Sequence, residues 1–299
     1  MSKQVDPKLL EVAAQFSAPP IVQTKDNMPE VRAAARAARV DLLGRHADSV
    51  VIAEDGAIRT YTPETVDPSK VILYVHGGGW INCDTVTHGA IMTDLAALSG
   101  HVVIGPDYPL APEAPYPAGL DMLVDLTLKL RADYPDADLV IGGDSAGANL
   151  ALAVALRLRD MGQGDVLSAL LLWYGCFRRL FDTRSHKLYG TGEHGLMTAN
   201  MEQCWGWYLG DHADPRYGDM AEAEVHDLPP CYLAEAELDC LADDTRWLAS
   251  KLADQGVPHS YVLHADVNHG FIHFGQHYPP SYGALESAVH FLKAPGMTR

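Results

Sequence analysis

Cysteine is scarce in this sequence of 299 residues, and its positions exclude the usual cysteine-based sites. The five cysteines are an odd number, and no two of them stand in a C-x-x-C pair or at another spacing typical of metal ligands. A disulfide framework and a cysteine metal site are therefore not expected. Reduced thiols in a cytosolic chain are the simple interpretation of Cys83, Cys176, Cys204, Cys231 and Cys240.

Positive charge and long apolar runs are also lacking. Lysine and arginine total 22 against 39 acidic residues, which leaves a formal net charge of −17. Nucleic acids and anionic membrane surfaces bind clusters of Lys and Arg, so neither is an expected partner. The first residues, MSKQVDPKLLEVAAQF, contain no apolar stretch typical of a signal peptide, and no segment approaches a transmembrane helix. We expect a soluble, cytoplasmic protein.

The apolar residues that are present fall in short runs separated by helical stretches. Such runs, rather than strict alternation, are typical of parallel strands buried on both faces, so we predict an α/β fold. A helix is predicted over Glu30–Arg45, and residues 50–61 read as a hairpin that turns at Asp55 and Gly56. The predicted buried strands are Val71–Val75, His101–Ile104, Leu139–Ile141, Ala169–Trp173, Cys231–Ala234 and Ser260–Leu263.

One interval, residues 175–228, contains no clear strand. It is rich in glycine, histidine, aromatic and acidic residues, and an insertion of this kind after a core strand usually covers a site. We therefore predict an α/β core over 47–174 and 229–299, an N-terminal helical cap segment over 1–46 and an inserted cap segment over 175–228. The aromatic residues of the insertion, such as Trp205, Trp207 and Tyr208, suggest a confined apolar pocket.

A serine stands in a tight turn between a predicted strand and a predicted helix. Gly143-Asp144-Ser145-Ala146-Gly147 has the Gly-x-Ser-x-Gly form of a nucleophile elbow, in which only small residues fit two positions before and after the serine. This placement favours Ser145 as a nucleophile at the carboxyl end of the sheet, where ligands of open α/β sheets bind.

A second glycine-rich loop supplies the groups that such a nucleophile needs. His76-Gly77-Gly78-Gly79-Trp80 follows the strand Val71–Val75 and has the form of an oxyanion loop. Attack on an ester creates an oxyanion that requires preorganised N–H donors. We predict the N–H groups of Gly77, Gly78 and Ala146 as these donors.

These motifs resemble the hormone-sensitive-lipase-like group of α/β-hydrolase esterases, over most of the chain. The His-Gly-Gly-Gly loop lies about seventy residues before Gly-Asp-Ser-Ala-Gly, as in that group. Residues 107–118 resemble its D-Y-R-L-A-P-E-x-P-x-P-A segment, with Pro109 in place of the arginine. Residues 196–240 and His269-Gly270-Phe271 resemble its cap end, acid loop and histidine loop. The resemblance implies an α/β-hydrolase fold with a helical cap.

The remaining members of a catalytic triad must come after the serine, in the order acid and then histidine. Asp239 follows the strand Cys231–Ala234 and matches the family's D-P-L-x-D-E segment, with Cys240 in place of proline. Asp243 and Asp244 are better placed to begin the next helix. Asp266 is a weaker alternative, because it lies only three residues before the candidate base.

His269 is the predicted base, because it follows the last strand and begins His-Gly-Phe. His76 is instead expected to brace its loop. A metal site built from His269, His273 and His277 is an alternative, but no acid or cysteine has matching spacing.

The predicted function is a serine carboxylesterase that hydrolyses short-chain or aryl esters through an acyl-enzyme formed on Ser145. No metal or cofactor is expected, and the partner is a small-molecule ester. An amidase or aryl formamidase on the same triad is an alternative, since His-Gly-Gly-x-Trp also resembles formamidase loops. A non-catalytic receptor on the hydrolase fold is another. The family resemblance also suggests a homodimer.

Overall fold

One mixed sheet organises the chain. The computed structural model describes residues 3–67, 69–212 and 215–297, and in that part the sheet has eight strands in the order β1-β2-β4-β3-β5-β6-β7-β8. β1, β2 and β4 pair antiparallel, and all the pairs from β4 through β3 to β8 are parallel. The strands are β1 Val50–Asp55, β2 Ile58–Pro63, β3 Lys70–Val75, β4 Val102–Pro106, β5 Asp138–Asp144, β6 Ala169–Trp173, β7 Cys231–Ala236 and β8 His259–His264.

Helices cover both faces of this sheet. Along β3, Val71, Leu73 and Val75 belong to one hydrophobic cluster, and Ile72 and Tyr74 belong to another. The first cluster includes residues of α2, α4, α5, α7 and α8, and the second includes residues of α1, α3 and α9. The helices are α1 Pro7–Gln15, α2 Met28–Arg39, α3 Gly89–Ser99, α4 Ala118–Asp133, α5 Ala146–Asp160, α6 Arg184–Tyr189, α7 Thr198–Leu209, α8 Ala242–Asp254 and α9 Pro279–Lys293.

The burial of the strands follows the apolar pattern of the sequence. β6 and β7 are buried at every residue, whereas the edge strand β1 is buried only at Val50. A strand with helices on both faces needs apolar side chains at every position, which is why the runs are continuous rather than alternating. The predicted α/β class and its mostly parallel sheet are confirmed.

The predicted helix Glu30–Arg45 is longer than the helix in the structure, because α2 ends at Arg39. Beyond it the chain turns, which buries Leu42 and brings Gly44 against α3. A Cβ on Gly44 would lie 2.8 Å from the carbonyl oxygen of Ala90, so the chain approaches α3 closely there. The predicted hairpin is confirmed, with Asp55 paired to Ile58.

The interval 175–228 contains α6 and α7 and no named strand among its described residues. Residues 1–2 and 213–214 of the two predicted cap segments, and 298–299 at the end of the predicted core, lie outside the described residues. None of the helices in the described ranges combines the length and the apolar character that a membrane span requires.

Gly147 lies where α5 meets the carboxyl end of β3, and we expect Gly147→Ala to destabilise the protein. The added Cβ would lie 2.0 Å from the carbonyl oxygen of Val75, a backbone atom that cannot move without shifting the sheet. We expect the free energy of unfolding to fall by roughly 1–3 kcal/mol. The measurement is the urea midpoint followed by tryptophan fluorescence.

The matched control for this prediction is Gly283→Ala in α9. A Cβ on Gly283 meets no atom within 4 Å, so alanine should stabilise the helix by up to about 1 kcal/mol. Equal midpoints for the two variants would contradict the close contact at Gly147.

Candidate active site

Ser145 occupies a strained turn between β5 and α5. Its backbone has φ 54° and ψ −121°, a conformation that non-glycine residues rarely adopt. A Cβ on Gly143 would lie 2.3 Å from the carbonyl oxygen of Val75, so this position also requires glycine. The two glycines allow the turn to sit against β3 and to raise the serine above the end of the sheet.

The structure brings Ser145, His269 and Asp239 together from three separate loops. Nε2 of His269 lies 2.8 Å from Oγ of Ser145, and Nδ1 of His269 lies 2.6 Å from Oδ2 of Asp239. An ionised carboxylate only accepts hydrogen bonds, so Nδ1 carries the proton and donates to Asp239. Nε2 is then free to accept the proton of the serine hydroxyl.

The loop of Asp239 holds the Asp239 carboxylate in place. Its side chain is fully buried, and Oδ1 accepts a hydrogen bond from the backbone N–H of Leu241 at 3.0 Å. Burial lowers the pKa of His269, but the charge and hydrogen bond of Asp239 outweigh this effect and raise it above its ordinary value. Asp239 therefore favours the protonated, imidazolium form of His269.

The alternative acids lie elsewhere. Asp244 pairs with Arg178, with Oδ1 2.7 Å from Nη2, and Asp243 accepts from the backbone N–H of Ser185. Asp266 is exposed and pairs with Lys3 at 3.1 Å. α8 begins at Ala242, so Asp243 and Asp244 occupy its first turn, as predicted.

The three histidines of the alternative metal site diverge in the structure. His269 faces Ser145, His273 contacts Arg39, and the ring of His277 stacks on Phe16 at 5.4 Å between centroids. They do not form a common coordination site.

A different buried set, His88, Asp144 and His273, has its possible ligand atoms within 4.8 Å of one another in the described part of the chain. These atoms already have partners. His88 lies 3.4 Å from Asp144, and the cationic guanidinium of Arg39 lies 3.2 Å from Nε2 of His273. A neighbouring fixed positive charge opposes binding of a metal cation, so we assign no metal to this set.

Gly77, the first glycine of the loop, lacks the free N–H group that its predicted oxyanion role requires. The N–H of Gly77 donates to Oδ1 of Asp144 at 3.0 Å and lies 3.2 Å from Nε2 of His88. It is thus engaged beneath the loop and does not line the cavity above Ser145. Gly78 and Gly79 do line that cavity, and no described residue accepts a hydrogen bond from their N–H groups or from that of Ala146.

His76 braces this loop, as expected from the sequence. Its ring stacks on Tyr108 at 4.3 Å, and its backbone carbonyl accepts a hydrogen bond from the Tyr108 hydroxyl at 2.9 Å. Burial, together with repulsion from His88, lowers the pKa of His76 to about 4, so the ring is neutral at pH 7.

A cavity of about 250 Å³ opens above Ser145 and His269. Its lining is mixed rather than apolar: Leu196, Met201 and Cys204 contribute apolar surface, and Arg39 and His273 contribute polar groups. The sequence predicts that Trp205 and Tyr208 line an apolar pocket, but both pack on Trp80 instead. The ring centroid of Trp80 lies 4.5 Å from that of Trp205 and 4.4 Å from that of Tyr208. They form a buried stack behind the cavity wall, because large aromatic rings gain most from full burial.

Arg39 and His273 also line the cavity, although the sequence does not predict a place for them there. One signal was available for Arg39, since it is the third of three arginines at positions 32, 36 and 39, a spacing that places them on one helix face. His273 stands four residues after His269 in a 3₁₀ turn, Phe271–Phe274, whose direction the sequence does not reveal.

Known proteins share both the sequence pattern and the fold. A family model described as the α/β hydrolase fold matches residues 72–273. An acetyl esterase of Salmonella schwarzengrund is 35% identical over 250 residues, which cover 80% of this chain and 76% of that protein.

Two solved structures extend this likeness to nearly the whole chain. The hyperthermophilic esterase from the archaeon Pyrobaculum calidifontis is 26% identical with a TM-score of 0.84, over 97% of this chain and 98% of that one. An esterase of the bacterial hormone-sensitive lipase family has the same fold, with a TM-score of 0.85 at 23% identity over 98% and 99% of the two chains. The chain therefore belongs to the α/β-hydrolase family whose model it matches.

Proposed function

We propose that this chain is a serine carboxylesterase that hydrolyses short-chain or aryl carboxylic esters through an acyl-enzyme. The observation that carries the proposal is the continuous hydrogen-bonded series from Ser145 through His269 to Asp239 at the base of a cavity. The names of the relatives, an acetyl esterase among them, support ester hydrolysis as the reaction. The expected substrate is a small-molecule ester, and the homodimer stays a prediction.

In the proposed mechanism, Nε2 of His269 accepts the proton of Ser145 as Oγ attacks the ester carbonyl. The tetrahedral intermediate collapses, the bond to the alcohol breaks, and the imidazolium returns its proton to the leaving alcohol oxygen. Water then attacks the acyl-enzyme with His269 again as base, which releases the acid and restores the serine. Asp239 keeps the imidazole in the required tautomer throughout.

We propose the N–H groups of Gly78, Gly79 and Ala146 as the donors to the oxyanion. Ala146 begins α5, so its N–H also lies at the positive end of a helix dipole. The unengaged N–H groups of Gly78 and Gly79 support this choice over Gly77, whose N–H already serves Asp144.

We also propose that residues 1–46 and 175–228 act as a cap over the core. Both segments contribute to the cavity, Gln23 and Arg39 from the first and Leu196, Asn200, Met201 and Cys204 from the second. A cap built in this way excludes water from the reacting groups and limits the size of the acyl chain.

Replacing the proposed nucleophile tests the mechanism directly. Ser145→Ala should reduce kcat for p-nitrophenyl acetate by about a thousandfold or more, because no acyl-enzyme can form, while the thermal midpoint stays close to that of the wild type. The control is Ser168→Ala, a buried serine that bonds to Leu139 outside the cavity and should keep its activity. Retained activity in Ser145→Ala would refute the serine mechanism.

The pH dependence tests the base and its acid. A general base must be neutral, so kcat/KM should fall as pH drops through the pKa of His269, which lies above its ordinary value of 6.5. Asp239→Asn removes the carboxylate that raises this pKa, so the acid limb should move to lower pH. The remaining rate should fall by about ten-thousandfold, because the tautomer is no longer held.

Asp243→Asn is the matched control for this pH profile, because Asp243 pairs with Arg246 rather than with His269. Its acid limb should coincide with that of the wild type. A profile that stays flat into strongly acid pH would contradict a histidine base.

Substrate length tests the confined cavity. For p-nitrophenyl esters from acetate to palmitate, kcat/KM should be highest for short chains and should fade with length, because the cavity holds only about 250 Å³. An N-formyl aryl amine tested beside them distinguishes the formamidase alternative, which predicts faster cleavage of that amide. Undiminished turnover of palmitate would contradict a closed cap, and no turnover with an intact fold would favour the receptor alternative.

A further inference from the structure

Three arginines lie on one face of α2, and the third is placed differently from the other two. Arg32 binds the carboxylate of Glu113 with two N–H groups, at 2.9 Å and 2.7 Å, and Arg36 pairs with Asp84. Arg39 has no carboxylate within ion-pair distance among the residues that the structure describes. Its guanidinium lies 3.2 Å and 3.4 Å from the two ring nitrogens of His273.

His273 holds this guanidinium without neutralising it. Burial, reinforced by the positive charge of Arg39, keeps the pKa of His273 well below its ordinary value, so the ring is neutral at pH 7. A neutral imidazole has one nitrogen that accepts a hydrogen bond, which orients the guanidinium and leaves its full positive charge. The ring of His273 is itself held edge-on against His88, 4.5 Å between centroids.

Arg39 and His273 line the same cavity as Ser145 and His269. The carboxylate among the described lining residues is Asp144, which lies below the cavity and has its own partners. Its Oδ1 accepts from the Tyr74 hydroxyl at 2.8 Å and from the N–H of Gly77 at 3.0 Å, and His88 lies 3.4 Å away.

The other titratable groups of the lining carry no negative charge at pH 7. Burial raises the pKa of the Cys83 thiol and raises that of the Cys204 thiol to about 12. The cavity thus holds a fixed cation that no anionic side chain of the lining pairs with. A partly buried, unpaired guanidinium is costly unless a ligand supplies the missing charge.

We propose that Arg39 selects esters that carry a second, free carboxylate, and that its guanidinium binds this carboxylate while the ester carbonyl lies at Ser145. The inference rests on the proposed esterase function and names its substrate class. The planar fork of N–H donors on arginine matches a carboxylate, and partial burial strengthens the pairing. The cavity volume restricts the substrate to a small hemiester or a small acylated hydroxy acid.

Two matched pairs of substrates test this selection and locate the carboxylate. In the first pair, the p-nitrophenyl hemiester of glutaric acid is compared with p-nitrophenyl pentanoate, so the charge lies on the acyl side. In the second pair, p-acetoxybenzoate is compared with p-acetoxybenzamide, so the charge lies on the alcohol side. The readout is the ratio of kcat/KM for the charged ester to that for its neutral partner.

Arg39→Gln should lower this ratio by roughly 10- to 100-fold in at least one pair, the usual effect of losing a hydrogen-bonded charge partner. Because each ratio is compared between variant and wild type, differences in the intrinsic reactivity of the esters cancel. Arg39→Lys should lower the ratio less than Arg39→Gln does, because lysine keeps the positive charge but not the planar fork of N–H donors. Arg36→Gln, one helical turn away and paired with Asp84, is the control and should leave both ratios unchanged.

Unchanged ratios in Arg39→Gln for both pairs, or an equal fall in Arg36→Gln, would overturn the assignment. Inhibition of the wild type gives a test that needs no variant. Glutarate should inhibit hydrolysis of p-nitrophenyl acetate competitively, and glutaramide should not. Equal inhibition by the two compounds would also overturn the assignment of Arg39. If the wild type hydrolyses neither the neutral nor the carboxylate-bearing esters, it is the esterase proposal that fails. Normal hydrolysis of neutral esters with no effect of Arg39 refutes only the selection of carboxylates.

Discussion

The contact between the turn at Ser145 and the carboxyl end of β3 is the constraint on which the rest of the site depends. The glycines at positions 143 and 147 both lie against the carbonyl oxygen of Val75, so close that neither accepts a Cβ without movement of the sheet. This contact forces the positive φ of Ser145 and places its hydroxyl above the sheet. It also sets the start of α5, and with it the N–H of Ala146, beside the glycine-rich loop that follows β3. The proposed nucleophile and the proposed oxyanion donors are therefore positioned by one packing contact.

The carboxylate of Asp144 joins the turn at Ser145 to the glycine-rich loop that follows β3. Its buried carboxylate binds the N–H of Gly77, the hydroxyl of Tyr74 and the ring of His88. Burial alone would raise the pKa of Asp144, but the interactions with His88 and Tyr74 hold it below its ordinary value. A buried carboxylate that is satisfied in this way rigidifies its surroundings, because removing any partner leaves a costly unpaired group. The engagement of Gly77 is thus a structural link that moves the proposed oxyanion donors one residue along, to Gly78 and Gly79.

The electrostatics of the cavity differ from those of the whole molecule. The chain carries a formal net charge of −17, yet the side chain that enters the cavity from α2 is a guanidinium with no carboxylate of the described lining beside it. Neutral His273, with a pKa lowered by burial, adds a hydrogen-bonding group to the cavity without adding charge, and neutral His76 packs on Tyr108 outside the lining. His269 is the exception, because Asp239 raises its pKa. His269 is thus suited to the proposed proton transfer, whereas His76 and His273 stay neutral.

The sequence by itself determined the layers of the fold and most of the candidate residues. Continuous apolar runs such as Ala169–Trp173 specify buried parallel strands through local composition, and the spacing of Gly143, Ser145 and Gly147 specifies the turn through local sterics. Family motifs were needed to favour Asp239 over Asp266. Only the tertiary structure decided where the long-range partners lie. His269 and Ser145 are 124 positions apart, and Arg39 and His273 are 234 apart. Local patterns carry no information about such pairs, because the contacts arise when loops from different strands converge at one edge of the sheet. For the same reason, only the folded chain shows three further features. These are the end of α2 at Arg39, the hydrogen bond of the Gly77 amide and the polar lining of the cavity.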